Sequence, residues 1–190
     1  MQPKIDGLSI AALALILLLG VSLLNQAGPA AGAGLPGDSP GSPAPISPTP
    51  DPGAFAAPYA HYTLTQGLHG MSYGHLAIDL AAGEGAPILS PIYGVVVERY
   101  TDEWGNPTLV LENEIYRVTL LHVEYTVIVG QTVQSGDPIG FESNHGYTTD
   151  MAGNPCWERA GCGYHTHLNV FDKRLGVNVD PLALLDAGDR

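Results

Sequence analysis

The sequence predicts a mainly β domain over residues 59–190, carried behind an apolar N-terminal segment and a linker rich in Pro, Gly and Ala. Three observations predict it. From Tyr59 onward, short apolar runs alternate with Gly, Pro and Asn. No long stretch keeps a 3.6-residue period. The turn "ENE", Glu112 to Glu114, joins two such runs as a hairpin. With 190 residues, 45% of them hydrophobic, the chain can build one domain with a real core but not two large ones.

The run "LSIAALALILLLGVSLL", Leu8 to Leu24, carries no charge and is apolar all round. Residues 1–24 therefore read as an N-terminal hydrophobic helix, either a signal peptide or a membrane anchor. Lys4 precedes this run and the next basic residue is Arg99, so the positive-inside bias places the remainder outside the cytoplasm. A small-residue cleavage site, "AGA" at 31–33, lies well beyond the apolar run, which leaves cleavage and retention both open. If retained, the segment would hold the protein on the membrane. Residues 25–58 have few large apolar side chains to offset the entropy of ordering and read as a disordered, extended linker.

Within the domain, strands are expected at 76–80, 94–100, 108–112, 116–122, 139–142 and 164–171. "VGQTVQSGDPIG", Val129 to Gly140, has the Gly spacing of tight turns between short strands. Asp180 as N-cap and Pro181 at the first helical position open one short helix, "DPLALLDAG".

Nineteen acidic against seven basic side chains give a net charge of −12, which excludes a nucleic-acid footprint. The chemistry lies instead in seven histidines. In "GHLAIDL", strand alternation puts His75, Ala77 and Asp79 on one face; His-x-x-x-Asp also shares a face at helical spacing. His122 closes the apolar face of "YRVTLLH". His165 and His167, in "GYHTHLNV", share a strand face, and two imidazoles there are costly to bury without a metal or other partners. Imidazole nitrogen and carboxylate oxygen suit zinc. Four protein ligands would close a structural site, whereas a catalytic zinc keeps three plus a water. Spacing alone leaves open which residue stands aside.

These motifs resemble the lysostaphin-type (LytM-type) zinc metallopeptidases, small, mainly antiparallel β domains that cut cell-wall peptides. "SYGHLAIDLAAGEGAPILSPIYGVVVERY" resembles the family's His-x-x-x-Asp segment and the Gly-rich pattern after it. "LLHVEYTVIVGQTVQSGDPIG" resembles its Tyr-x-His-Leu strand and turn run, and "HTHLNV" its His-x-His strand. The resemblance covers roughly residues 60–183 and implies that His75, Asp79 and His167 hold one Zn2+. It makes His122 and His165 catalytic groups around a zinc-activated water, and peptidoglycan peptide the substrate. Which of the two is the general base stays open.

The chain departs from the family pattern at Tyr164, Thr166 and Asn169, the last standing where Glu is usual. A longer loop, Phe141 to Tyr164, replaces a short Gly-rich connection and holds the only two cysteines, Cys156 and Cys162. In an exported chain these read as a disulfide, with free thiols or a second metal site as alternatives. His61, His69 and His145 read as surface or hydrogen-bonded structural residues. The rival to an enzyme is a noncatalytic binding or activator module of the same kind. A biotinyl or lipoyl carrier fails because no Lys lies between Lys4 and Lys173.

Overall fold

A computed structural model describes residues 49–150, 152–157 and 159–188. The apolar N-terminal segment and most of the expected linker lie outside the described residues. Among the described residues no helix is long and apolar enough to cross a membrane.

Eleven strands and one helix follow in order: β1 (Thr63–His69), β2 (Ala77–Ala81), β3 (Pro87–Leu89), β4 (Gly94–Thr101), β5 (Pro107–Glu112), β6 (Tyr116–Leu121), β7 (Val123–Tyr125), β8 (Thr132–Val133), β9 (Pro138–Glu142), β10 (Thr166–Asp172), β11 (Val177–Val179) and α1 (Pro181–Gly188). The main sheet runs β1-β2-β10-β6-β5-β4-β8, with β11 also paired to β10, and a smaller sheet runs β3-β9-β7. Every pairing is antiparallel. The mainly β, antiparallel expectation therefore describes the domain.

The central strands β2, β6 and β10 are buried on both faces, β10 including its polar Thr166, His167 and Asn169. Ile78, Leu80, Val118, Leu120, Leu168 and Val170 form the middle of the core. The β5–β6 hairpin turns at Asn113, whose Oδ1 accepts the amides of Ile115 and Tyr116 at 2.8 Å. Asp180 Oδ1 caps α1 by accepting the Leu182 amide at 2.9 Å.

Three features differ from the sequence reading. The core extends back to Phe55, inside the expected linker, where its ring meets Tyr116 edge-on at 5.7 Å. Strands β1, β3, β7 and β11 were not expected; β3, β7 and β11 are only three residues long, and β1 is mostly exposed, so neither shows a clear apolar alternation. Strand β6 also ends at Leu121, because His122 takes a positive φ of 66°. The expected continuation of its face alternation through His122 fails there.

Candidate metal and catalytic site

The site is assembled where β2 and β10 lie side by side, with His167 opposite Asp79 in the register. Strand β1 pairs to the other edge of β2 and brings His69 level with Ala77. After β1 the chain doubles back through a 3-10 turn, Met71–Tyr73, entered at Gly70 with φ 88°. A Cβ at Gly70 would lie 2.9 Å from the His75 Cβ, so the close return of His75 requires glycine.

Asp79 and His167 are both buried. His167 Nδ1 lies 3.2 Å from Asp79 Oδ1, and His69 Nε2 lies 3.4 Å from the same oxygen and 3.1 Å from His167 Nδ1. His75 sits at the other edge of the His167 ring, its Nδ1 3.0 Å from Nε2. The structure thus joins Asp79 and His167 with His69, and sets His75 against the far nitrogen of His167.

Hydrogen bonds decide which nitrogens are bare. A carbonyl oxygen only accepts, so a ring nitrogen bonded to one carries the proton, and the other nitrogen of a neutral ring is left with a lone pair. His69 Nδ1 donates to Gly67 O at 2.9 Å, His165 Nδ1 to Gly163 O at 2.8 Å and His122 Nδ1 to His145 O at 2.8 Å. Each Nε2 is therefore bare. That of His69 faces Asp79 Oδ1, and that of His165 lies 3.7 Å from Asp79 Oδ2. The rings of His122 and His165 stand 4.7 Å apart, centroid to centroid.

Asp79 Oδ1 is buried and, despite these near neighbours, has no aligned hydrogen-bond donor. An orphaned carboxylate oxygen facing the bare His69 nitrogen is costly unless a cation satisfies it. The donor atoms of His69, Asp79 and His167 all lie within 4.8 Å of one another. Bonds of about 2.0–2.1 Å in a tetrahedron place donors roughly 3.3 Å apart, and the three separations here are 3.1, 3.2 and 3.4 Å. The residues fit a zinc ion.

The surroundings tune the same groups. Burial raises the Asp79 carboxyl, but contact with the His167 ring and the neighbouring His165 and His69 outweighs it and holds the group below its usual range. Burial pulls His75 down to about 4, helped by His167 and His69. Burial likewise pulls His122 down to about 3, with His165 adding to the effect. His122 is further fixed through its carbonyl, which accepts from the Ser143 amide at 3.1 Å and the Ser143 hydroxyl at 2.6 Å. A strained non-glycine backbone held from several sides marks a position whose side chain must aim in one direction.

The two unusual residues of the His-x-His strand both have partners. Thr166 points away from the site, and its hydroxyl meets the Tyr59 hydroxyl at 2.6 Å in the core. Asn169 Oδ1 accepts the Leu76 amide at 2.8 Å, next to His75, and its Nδ2 donates to Asn178 Oδ1 at 3.1 Å. Cys156 and Cys162 are bridged. Their loop is gathered by Asn144, whose Nδ2 is 2.9 Å from the carbonyl oxygens of Cys156, Arg159 and Cys162. It is also pressed onto the β4–β5 turn at Gly146 (φ 90°), where a Cβ would meet Asn106 Oδ1 at 2.3 Å. His145 of this loop, next to His122, borders an open groove of about 490 Å³ that also involves Arg99, Glu124 and Val129.

Sequence reasoning set His69 aside as a surface or hydrogen-bonded structural residue. The structure places it half-buried in the donor cluster. The missed signal was β1: had "TLTQGLH" been taken as a strand beside "AIDLA", its terminal His would have fallen beside the Asp79 face.

An antiparallel sheet here presents a buried carboxylate among imidazoles, a donor set suited to a metal ion. The chain belongs to Peptidase family M23, whose profile matches residues 73–181. No curated protein sequence matches the chain significantly. Among solved structures, a zinc-containing peptidase from Vibrio cholerae is 26% identical with a TM-score of 0.53, over 68% of this chain and 39% of that one. LytU is 28% identical with a TM-score of 0.50, over 66% of this chain and 84% of that one. Lysostaphin in solution, at 22% identity and a TM-score of 0.53 over 73% and 56% of the two chains, shares the fold. The chain thus matches little more than a third to somewhat over half of the Vibrio cholerae and lysostaphin chains.

Proposed function

We propose that this protein is a zinc-dependent endopeptidase that hydrolyses peptide cross-links or stems of peptidoglycan outside the cytoplasmic membrane. The observation that carries the reading is the buried, donor-less Asp79 oxygen facing the bare His69 nitrogen, with the bare His165 nitrogen 3.7 Å from the other carboxylate oxygen and the His122 ring next to that of His165. Membership of Peptidase family M23 and likeness to a zinc-containing peptidase support it. Asp79 and His167 would hold the ion together with an imidazole from the β1–β2 segment. The family resemblance gives that third place to His75.

When bound, zinc supplies Lewis acidity that acidifies a water and polarises a scissile carbonyl. The chain's own groups handle the proton and the orientation. His165, with Nε2 bare and Asp79 Oδ2 at 3.7 Å, accepts a proton from water, and the carboxylate then steadies the imidazolium. His122 is a poor base because burial keeps it neutral. Its Nδ1 proton is spent on His145 O, so its bare Nε2 orients water by accepting a hydrogen bond rather than donating to an oxyanion.

The test is metal analysis of the full chain together with digestion of purified peptidoglycan. One equivalent of zinc with release of muropeptides is expected, and His165→Ala should keep the zinc while losing turnover. A chain that takes up no zinc when supplied with it overturns the reading. Zinc uptake without muropeptide release by the wild type makes the domain a binding or activator module.

A further inference from the structure

We infer that Trp104 and Tyr147 form a binding site for a glycan strand, on which a neutral N-acetylated hexosamine stacks beside the reacting centre. This rests on the peptidoglycan reading proposed above and names a second part of that substrate, the sugar chain that carries the peptides. The chain has two tryptophans and both are exposed, Trp104 at 65% and Trp157 at 53%; Tyr147 is 68% exposed. Rings of this size normally bury most of that area in a core. Here the Trp104 and Tyr147 rings stand 6.2 Å apart, centroid to centroid, at 62°, so they form an open angle instead of covering one another.

The two rings are held in place by a shared frame. Asp102 Oδ1 accepts the Trp104 amide at 2.9 Å and the Asn106 amide at 2.8 Å, and its Oδ2 accepts from Asn106 Nδ2 at 2.7 Å. Asn106 Oδ1 in turn accepts the Tyr147 amide at 2.7 Å, so one buried side chain bolts the two turns together. Both turns also lead to His122, whose amide donates to Pro107 O at 3.1 Å and whose Nδ1 donates to His145 O at 2.8 Å. The rings therefore stand on the backbone that holds a candidate catalytic group. What they offer defines the occupant. A net charge of −12 disfavours phosphodiesters and anionic lipid headgroups. A pyranose brings an apolar C–H face for the rings and a polar rim. Among the described residues the Trp104 indole N–H and the Tyr147 hydroxyl have no protein partner, which leaves both for hydroxyl and acetamido oxygens of that rim. A peptide held at the reacting centre is tethered to such sugars, so the second contact forms at high effective concentration.

The experiment titrates the full chain with a chitin-derived N-acetylglucosamine oligosaccharide, by calorimetry and, in a Trp157→Phe background where Trp104 is the only indole, by tryptophan fluorescence. A saturable change is expected in both, and it should persist after chelator treatment because no metal takes part. By calorimetry, Trp104→Ala and Tyr147→Ala should each weaken binding roughly tenfold or more. Trp104→Phe, which keeps a ring, should lie between these and the wild type. Unfolding midpoints of the variants should stay close to that of the wild type, since both rings are exposed. A wild type that digests peptidoglycan but binds no oligosaccharide, or alanine variants that bind it as the wild type does, overturns the inference and leaves the peptidase reading standing. Oligosaccharide binding that is lost with Trp104 and Tyr147, in a chain that releases no muropeptides, keeps the glycan site and overturns the peptidase reading. Quenching of Trp104 by tetramethylammonium in place of the sugar makes the pair a cation cage, and self-association abolished by Trp104→Ala without sugar binding makes it a contact between copies; either result overturns the inference.

Discussion

Asn169 ties the strand carrying His167 to the segment carrying His75, and its removal makes a graded prediction. The side chain is 4% exposed, accepts the Leu76 amide at 2.8 Å and donates to Asn178 Oδ1 at 3.1 Å. In Asn169→Ala the Leu76 amide is left without its acceptor in a half-buried position, at about 1–3 kcal/mol, and a second hydrogen bond worth about 1 kcal/mol is lost. The sum is about 2–4 kcal/mol. With a urea m-value of about 1–3 kcal/mol/M, the unfolding midpoint should fall by roughly 1–2 M. Asn178→Ala cuts a different part of the same chain of contacts, leaving the Leu76 amide paired but freeing Gly74 O from its 2.6 Å donor. Gly74 is exposed and water can replace that donor, but Asn169 Nδ2 is left buried without its acceptor, so the loss should be about 1–3 kcal/mol, below that of Asn169→Ala. Zinc affinity should follow the same order. A midpoint unchanged in Asn169→Ala, or a larger loss in Asn178→Ala, would refute the claim that this amide holds the first motif against the last.

Three further outcomes follow from the same contacts. His122 is neutral in the fold, pushed down to about 3 by burial, whereas in the unfolded chain it titrates near 6.5. The unfolded state therefore gains the proton first as pH falls, so this contribution to stability is complete above about 6.5 and declines towards 3, by about 5 kcal/mol in all. His122→Asn, which tolerates the positive φ, should flatten the stability–pH slope of chelator-treated protein between pH 6.5 and 4.5; an unchanged slope would show that His122 does not cause it. Reducing the Cys156–Cys162 bridge should lower stability by only about 2 kcal/mol, yet expose Arg159 to trypsin, read as one new cut by mass spectrometry. Resistance at Arg159 after reduction would mean that Asn144 alone orders the loop. Finally, Tyr59→Phe should cost about 1–3 kcal/mol by leaving the fully buried Thr166 hydroxyl unpaired, and adding Thr166→Val should recover most of it in a double-mutant cycle. Additive losses would deny the pairing.

Much of this fold could be read from the chain because its central strands are strongly marked. Strands β2, β5 and β6 are mostly apolar runs between turn residues, β10 alternates apolar with polar residues at its centre, and the helix carries its own cap at Asp180. The peripheral strands could not be read. β3, β7, β8 and β11 are two or three residues long, and β1 is largely exposed, so no face pattern survives in them. The site was legible to the same degree. Asp79 and His167 lie on central strands, where alternation marks each as sharing a face with another candidate ligand, but their facing positions come from the β2–β10 register. His69 was not legible because its proximity to Asp79 depends on the pairing of an edge strand and on a left-handed glycine at 70, both features of tertiary structure.

The departures from the family pattern are matched in space, not scattered. Thr166 would be an unpaired buried hydroxyl where the pattern has an apolar residue, but Tyr59 stands opposite it; burial and the nearby Glu142 raise that phenol's pKa, so it stays neutral and can share a proton with Thr166. Asn169 is shorter than the Glu usual at its position, and it reaches only the Leu76 amide and Asn178, both supplied by segments that flank β10. Each polar change on the His-x-His strand therefore has a partner outside the strand, and two of those partners, Tyr59 and Asn178, belong to no motif. The physical consequence is that grafting "HTHLNV" alone into a related domain would bury two unsatisfied groups, whereas grafting it with Tyr59 and Asn178 would not. What distinguishes this centre from its relatives is thus carried as much by the surrounding frame as by the histidines themselves.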